Sequence, residues 1–392
     1  MDKITGLDLS EVPRELKVQL SLLSKDIKEV CFEGLNWDLF IDLAMHHRTF
    51  PVLYPKLKQL QEGTIPEYVM KTLEMQYRQN TFRMLQLCAE MEQVSNLFAK
   101  NEINLIVLKG PVLASDLYGD LSRRTCGDLD VLIPISDLKR AEELLLQEGY
   151  RKDDYIHSVL GDWKWRHHHV TFFHETKLIK LEIHWRLNPG PGVEPAFEDL
   201  WARKRVSSIT NSPVYYLGRE DLFTFLVSHG ARHGWSRLRW LMDISQMVEQ
   251  EMEWRQILSM FEKYSSRDVA GQALILASEL LGCRLPKGTE QLMTSSKAKH
   301  LAKDAIFYIE KMVNLHTDPV PEEVAVFHKE HLFSLMSKKQ KALFILSFLY
   351  PYPEDAETLP LPKQFHLLYF PLRPFLWGWR RTRRQVADRR IS

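Results

Sequence analysis

The sequence predicts an α+β fold, with an α/β segment between two helical regions. Apolar residues recur at helical spacing over 15–100 and again over 220–350. Between them, within 103–185, lie continuous apolar runs typical of buried strands and one pair of segments typical of a hairpin. The predicted fold class therefore rests on the change from helical to strand-like spacing of apolar residues along the chain, and back again.

The composition is that of an ordinary folded chain. With 392 residues, 45% of them hydrophobic and 26% charged, the chain is long enough for two or three domains, and disorder is disfavoured. Lys and Arg number 52 against 51 Asp and Glu, so the net charge of +1 gives no global reason to expect a nucleic-acid partner.

Cysteine usage and hydropathy predict a cytoplasmic protein. The four cysteines are too scattered for a zinc ribbon or a disulfide framework, and we interpret them as reduced thiols: Cys31, Cys88, Cys126 and Cys283. The first residues lack the basic-then-apolar order of a signal peptide, and no stretch of about 18 uncharged apolar residues occurs.

Breaks in the pattern predict four regions. Helices over 1–100, interrupted near Gly34, Pro51 and Pro66, form the N-terminal region. We expect an α/β core over 101–215, a C-terminal helical domain over 216–350 and a basic tail over 351–392; the Pro/Gly-rich run 188–193 marks a break in the pattern near the end of the core.

The core should open with a strand followed by a helix. The run Ile103–Leu108 is apolar apart from Asn104 and stops at Lys109-Gly110. Pro111 suits a first helical position, because the amide that proline lacks would have no partner there. We therefore predict a strand over 103–108 and a helix over 111–118 that ends at Gly119.

The next elements are a second strand, a helix and a hairpin. The strand is predicted over 128–133, and the helix, capped by Ser136, runs to about Gln147. The hairpin strands are predicted over 165–173 and 178–185.

Acidic side chains on two of these strands are the candidates for chemistry. Alternate residues of a strand share a face, so Asp128 and Asp130 point the same way, and so do Lys180, Glu182 and His184. Carboxylate oxygens suit Mg²⁺, which is usually shared with substrate phosphates. The pattern points to phosphoryl or nucleotidyl transfer, although exposed strands also carry acidic pairs without any catalytic role.

Lys109-Gly110 strengthens this interpretation. A glycine at a strand-to-helix junction lets backbone amides and the helix N-terminus approach a phosphate. Lys109 would add positive charge there.

The order of these motifs resembles the bacterial uncharacterised nucleotidyltransferase family, within the polymerase-beta-like superfamily. The resemblance spans roughly 103–260. It is carried by Leu108-Lys109-Gly110, Leu117-Tyr118, Arg124 before Asp128 and Asp130, Gly149-Tyr150, the run Glu182–Leu187, and the run Leu226–Asp243 with its paired histidines and Arg-Trp-Leu-x-Asp end.

The resemblance implies a small mixed β-sheet flanked by helices. It also implies two Mg²⁺ ions held by Asp128, Asp130 and Glu182, which would bind ATP or another nucleoside triphosphate, activate an acceptor hydroxyl and stabilise the departing pyrophosphate. One feature departs from the superfamily: its Gly-Ser after the first strand is replaced by Gly110-Pro111, so no serine hydroxyl can bind phosphate.

Six residues are candidates for nucleotide contacts: Lys109, Gly110, Arg124, His184, His229 and His233. Arg124, beside Arg123, could neutralise triphosphate charge or form a salt bridge with a carboxylate. His229 and His233 lie one helical turn apart and could contact phosphate or acceptor, or be structural. Arg239 and Asp243 have the spacing of an intrahelical ion pair.

Two further motifs are interpreted as structural. The triplet His167-His168-His169 disfavours zinc, because alternation along a strand would leave only two rings on one face. The C-terminal run 371–392 carries seven arginines beside Phe375, Trp377 and Trp379; it could contact a membrane surface or an anionic partner, but a solvated tail is favoured.

The sequence thus predicts a metal-dependent nucleotidyltransferase that transfers a nucleoside monophosphate and releases pyrophosphate. The alternative is a non-catalytic binding or regulatory module on the same scaffold, which the missing serine favours. A helical interaction protein would leave the ordered motifs unexplained. The acceptor stays open among a small antibiotic, a metabolite, a peptide and a protein side chain.

Overall fold

A computed structural model describes residues 6–24 and 30–391, and for 384–391 it describes the backbone only. The first five residues and Ser392, which belong to the predicted terminal regions, therefore lie outside the described residues. Within the described part, a mixed sheet is flanked by helices on the N-terminal and C-terminal sides of the chain. The predicted α+β class is confirmed.

The N-terminal region is helical, as predicted. Pro51, expected to interrupt the pattern, lies instead in the first turn of a helix, where its missing amide leaves no hydrogen bond unmade. The helices are α1 (Arg14–Leu23), α2 (Trp37–His46), α3 (Phe50–Leu57) and α4 (Glu67–Lys100).

Seven strands in the described residues form one sheet with the order β3-β4-β5-β2-β1-β7-β6. Only the β2–β5 and β1–β7 pairs of these strands are parallel, so the sheet is mixed. The strands are β1 (Ile106–Val107), β2 (Asp128–Leu132), β3 (Arg151–Lys152), β4 (His169–His174), β5 (Ile179–His184), β6 (Arg205–Ser207) and β7 (Val214–Tyr216).

The helices of the core are α5 (Pro111–Tyr118), α6 (Leu138–Gln147), α7 (Trp163–Arg166) and α8 (Phe197–Ala202). The bounds of α5 are those predicted, and Gly119 ends it in the left-handed conformation, φ 67°. Ser136, predicted to cap α6, lies instead inside a 3₁₀ turn, Ile135–Asp137, that precedes the helix.

The first hairpin strand is shorter than predicted. It starts at His169 rather than at Trp165, because Trp163–Arg166 form the short helix α7. Asp162 stabilises this turn by accepting a hydrogen bond from the Arg166 side chain and one from the Arg166 backbone amide.

From Arg219 onward the described chain consists of helices and the segments that connect them. No helix among the described residues combines the length and apolarity needed to cross a bilayer. The helices are α9 (Arg219–Arg232), α10 (Leu238–Val248), α11 (Trp254–Lys263), α12 (Arg267–Leu281), α13 (Glu290–Met293), α14 (Ser296–Glu310), α15 (Glu322–Leu335), α16 (Lys338–Ser347), α17 (Pro353–Thr358) and α18 (Tyr369–Ile391).

The segment expected to be a solvated tail is largely the helix α18. Tyr369 is fully buried, and its hydroxyl donates to the carbonyl of Leu359. Arg373 and Arg380 both pair with the buried carboxylate of Asp355. The described side chains of α18 therefore hold one face of the helix against the preceding segment.

A buried ion pair joins the sheet to the C-terminal helices. The guanidinium of Arg124, which precedes β2, donates to both carboxylate oxygens of Asp243 in α10 at 2.9 to 3.1 Å, and the Tyr118 hydroxyl donates to the same carboxylate at 2.8 Å. The predicted Arg239–Asp243 pair does not form, because Arg239 donates to Thr125 instead.

We expect Asp243→Asn to destabilise the fold by about 3–5 kcal/mol, because it leaves the buried Arg124 guanidinium without its counter-charge. Tyr118→Phe removes one hydrogen bond and should cost about 1 kcal/mol. Glu74→Gln, which breaks an exposed pair with Arg78, is the matched control and should stay within about 0.5 kcal/mol. The free energy of unfolding in urea checks this; equal losses in Asp243→Asn and the control would contradict it.

Candidate functional site

The candidate site lies where β2 and β5 run side by side. In this parallel pair Asp130 is opposite Glu182, and Asp128 is opposite Lys180. On β5, Ile179, Leu181 and Ile183 are buried in the core, whereas Lys180 and Glu182 are only half-buried. The strand alternation that was predicted is the observed one, and it brings the acidic residues of the two strands onto one face.

Four cationic or titratable groups surround these carboxylates. Lys109 Nζ lies 3.1 Å from Asp130 Oδ1, and His184 Nε2 lies 3.3 Å from the same oxygen. Lys180 Nζ donates to Glu182 Oε1 at 2.5 Å. On the other Glu182 oxygen, the Nε2 atoms of His184 and His169 lie at 3.5 and 3.8 Å.

The surroundings lower the pKa of two of the carboxyl groups and raise the pKa of the third. Burial alone would raise the pKa of Asp130, but Lys109 and the hydrogen bond with His184 hold its pKa below the ordinary value. Partial burial would likewise raise the pKa of Glu182, but the hydrogen bond with His184 and the nearby His169 and Lys180 lower it. For Asp128, burial and the neighbouring Asp130 charge prevail and raise the pKa.

The neighbouring carboxylates raise the pKa of the two basic groups. Burial disfavours the charge on Lys109, yet Asp130, Asp128 and Glu182 raise its pKa, so the ammonium keeps its proton. For His184, burial again acts against the charge, but hydrogen bonds with Asp130 and Glu182 raise the pKa. The strand pair therefore holds a compact set of alternating charges.

Gly110 follows Lys109 in an unusual backbone conformation. Its φ of 86° and ψ of −142° belong to a region that residues with a Cβ rarely adopt. An added Cβ would lie 3.7 Å from Leu129 Cδ2 and 3.8 Å from Cys126 Sγ, which is ordinary van der Waals contact. Backbone geometry, rather than lack of space, therefore requires glycine here.

His229 and His233 lie at the end of α9 and are half-buried. Their ring centroids are 4.6 Å apart, and both rings pack against Trp240. Burial lowers the pKa of His229 well below its ordinary value, and the nearby Lys109 charge adds to the effect. Burial and the Arg232 charge do the same for His233. Both rings are therefore neutral and can exchange hydrogen bonds without supplying charge.

Arg124 is not part of this group. The sequence left open whether Arg124 neutralises triphosphate charge or forms a salt bridge. In the structure it forms a salt bridge, since its side chain is 1% exposed and bound to Asp243. Arg124 thereby fixes the chain just before β2 and positions Asp128 and Asp130 without facing the carboxylates.

Two arginines near the site were missed in the sequence. Within the described residues, Arg232 and Arg239 have no carboxylate within salt-bridge distance, and the Nε atom of each is buried without a hydrogen-bond partner. Burial lowers the pKa of Arg232 to about 10. Both lie in the motif around the paired histidines, but only the three-dimensional contacts show that they lack a counter-charge.

The histidine triplet is arranged differently from the prediction. Because β4 begins only at His169, strand alternation does not apply to the preceding residues, and the rings of His168 and His169 lie 4.3 Å apart. His184 completes a group whose ligand nitrogens all lie within 4.8 Å. His169 and His168 already exchange a hydrogen bond of 3.1 Å.

Asp130, Glu182 and His184 offer ligand atoms within 4.8 Å of one another. Asp130 Oδ2 is buried and has no hydrogen-bond partner. A buried carboxylate oxygen without a donor, in a set dominated by oxygen, fits a hard divalent cation such as Mg²⁺.

A mixed sheet with an Asp-x-Asp pair on one strand and a glutamate on its parallel neighbour is consistent with a nucleotidyltransferase domain. A model of the uncharacterised nucleotidyltransferase family matches residues 33–282, nearly two thirds of the chain. The chain therefore belongs to that family. The match extends beyond the motifs at 103–260 and includes helices α2 to α4. No curated protein matches the chain in sequence.

We expect Gly110→Ala to destabilise the protein by about 1–3 kcal/mol, because alanine must adopt the strained positive-φ conformation. Gly127→Ala is the matched control: its added Cβ would meet nothing within 4 Å and its φ is unexceptional. Thermal and urea unfolding of the two variants measure the difference. If Gly110→Ala unfolded like the control, Gly110 would not be under the conformational constraint described above.

Proposed function

We propose that this protein is a metal-dependent nucleotidyltransferase that moves a nucleoside monophosphate from a nucleoside triphosphate to an acceptor hydroxyl and releases pyrophosphate. The pairing of Asp130 with Glu182 across β2 and β5 carries the proposal. None of the four cysteines, all of which lie in the described residues, forms a disulfide, in keeping with a cytoplasmic setting, which is part of the proposal.

Asp128, Asp130 and Glu182 would hold the metal. When bound there, two Mg²⁺ ions would neutralise triphosphate charge and favour ionisation of the acceptor hydroxyl. Because Lys109 pairs with Asp130 Oδ1 at 3.1 Å, its ammonium is close enough to exchange this carboxylate for a phosphate oxygen. Glu182, held by Lys180 and His184, would lie nearest the attacking hydroxyl.

The phosphate contacts would come from both sides of the site. Lys109 and the backbone at Gly110 approach from the sheet, while His229 and His233 approach from α9 as neutral hydrogen-bonding groups. Charge would come from Arg232 and Arg239, whose guanidinium groups are without carboxylate partners in the described residues. Arginines in this position offset the missing serine hydroxyl at Pro111.

A cavity of about 1100 Å³ between α9 and α15 would receive the acceptor. It is lined by Arg232, His233 and His316, and its other walls are largely apolar, including Leu332 and Phe333. Burial, followed by the Arg237 charge, lowers the pKa of His316. His233 connects the cavity to the paired histidines, because its ring centroid lies 4.6 Å from that of His229.

A non-catalytic binding module is the second candidate. It is favoured by the absent serine and by the close pairing of Asp130 with Lys109 and His184, which satisfies much of the carboxylate charge within the protein itself. Such a module would bind triphosphate without transferring it. Binding and transfer must therefore be measured separately.

We expect Asp128→Asn and Glu182→Gln each to lower transfer at least a hundredfold, or about 2.7 kcal/mol in barrier, because an amide cannot neutralise a divalent cation. Glu182→Gln should change triphosphate affinity only a few-fold. Labelled triphosphates with cell lysate as the source of acceptor measure transfer, and calorimetry measures binding. Glu175→Gln, an exposed glutamate in the same hairpin, is the control. Transfer by Asp128→Asn at the wild-type rate would refute the metal assignment.

Metal binding should be measurable in the absence of any acceptor. We expect Mn²⁺, used as a paramagnetic substitute for Mg²⁺, to bind the wild type and to bind Asp128→Asn at least about tenfold more weakly, since one anionic ligand is lost. Electron paramagnetic resonance of free Mn²⁺ gives both affinities. Equal affinities in the two proteins would show that the cation binds elsewhere.

A further inference from the structure

The largest concentration of exposed apolar side chains lies outside the candidate site. Among the described residues, 13 of the 27 exposed large hydrophobic side chains fall between Leu343 and Trp379. This stretch is less than a tenth of the chain, so the clustering is not that of scattered surface residues. It also lies beyond residues 33–282, which the family model matches.

The helix α16 has its apolar side turned outward. No residue of α16 is buried, and the sequence from Ala342 to Leu349 is almost entirely apolar. Phe344 faces inward and lies against the rings of Phe333 and Phe348. Ile345, Leu346 and Leu349 lie on the opposite side, each more than half exposed.

The helix α18 lies next to this segment and adds exposed aromatic side chains. Its inner side is fixed by Tyr369, Arg373 and Arg380, whereas Phe375, Trp377 and Trp379 are each more than half exposed. The two helices are adjacent, because the Arg373 guanidinium donates to the Phe348 carbonyl and the ring of Tyr350 lies 5.1 Å from that of Phe370. We call Ile345, Leu346, Leu349, Phe375, Trp377 and Trp379 the α16–α18 surface.

The α16–α18 surface is bordered by positive charge. Residues 338–383, whose side chains are described, contain eight basic and three acidic residues, a net charge of +5, although the whole chain carries +1. The guanidinium of Arg381 lies 5.2 Å from the Trp377 ring, and that of Arg383 lies 5.1 Å from the Trp379 ring. Asp355, one of the three acids, is buried and already paired.

We propose that the α16–α18 surface binds the surface of a bilayer containing anionic phospholipids. Tryptophan and arginine side by side suit the headgroup region, where an indole ring lies between apolar and polar layers and a guanidinium meets phosphate. Isoleucine, leucine and phenylalanine side chains would enter the acyl boundary. Basic residues near such a surface are attracted by its negative potential.

A second copy of the chain fits this surface poorly. A two-fold contact would place the same patch of each subunit against the other, and therefore a +5 segment against another +5 segment. Charge complementarity thus favours an anionic occupant, and the continuous apolar side of α16 favours a lipid surface over a polar, acidic one.

Vesicle flotation of the full chain, without nucleotide, tests this proposal. We expect binding to mixed phosphatidylcholine and phosphatidylglycerol vesicles, at least tenfold weaker binding to phosphatidylcholine alone, and loss of binding as salt increases. Arg381→Gln/Arg383→Gln should weaken binding roughly fivefold for each charge removed. Trp377→Ser/Trp379→Ser should lower it to background.

Phe82→Ser is the matched control, since Phe82 is 73% exposed on α4 and belongs to another surface. Circular dichroism confirms that each variant is folded. Binding by the Trp377→Ser/Trp379→Ser variant at the wild-type level, an equal loss in Phe82→Ser, or self-association that depends on Ile345 and Leu346 in place of vesicle binding would overturn the proposal. Asp128→Asn should bind vesicles normally, so the result is independent of the proposed transfer activity.

Discussion

Carboxylates brought out of water on two adjacent strands are the constraint on which the site depends. Asp130 is 1% exposed and lies opposite Glu182, so each negative charge disfavours the other and burial disfavours both. Lys109, at the end of the first strand, and His184, on β5, supply the compensating charge. The position of Lys109 after β1 and the register of β5 therefore both serve to compensate the buried negative charge of Asp130.

Some buried polar and charged groups near the site are left without a partner. Asp130 Oδ2 has no donor on the sheet side, while Arg232 and Arg239 have no carboxylate partner in the described residues on the helical side. A buried carboxylate oxygen without a donor and buried guanidinium groups without a counter-charge are each costly in the protein alone. A ligand that carries both a cation and an anion would satisfy both sides, and a metal–triphosphate complex has that charge pattern.

The sequence was sufficient where local rules decide the structure. Alternation identified the faces of β5, and Pro111 with Gly119 marked the bounds of α5. The sequence was insufficient where contacts between residues far apart in the chain determine the structure. Arg124 and Asp243 are 119 positions apart, and nothing in the local pattern favoured that pair over Arg239 with Asp243. For the same reason the anchoring of α18 by Asp355 was not predicted.

The short helix α7 shows how one such distant contact joins the α/β core to the C-terminal helices. The Arg166 guanidinium donates to the Ser347 carbonyl at the end of α16 and to the Tyr352 hydroxyl, both at 2.9 Å, and lies over the Trp165 ring. A strand through 165–168, as alternation suggested, would not combine these contacts with the Asp162 turn. The hairpin that carries Glu182 is thus joined through α7 to the helices of the apolar surface, and this contact explains why the local pattern was overridden there.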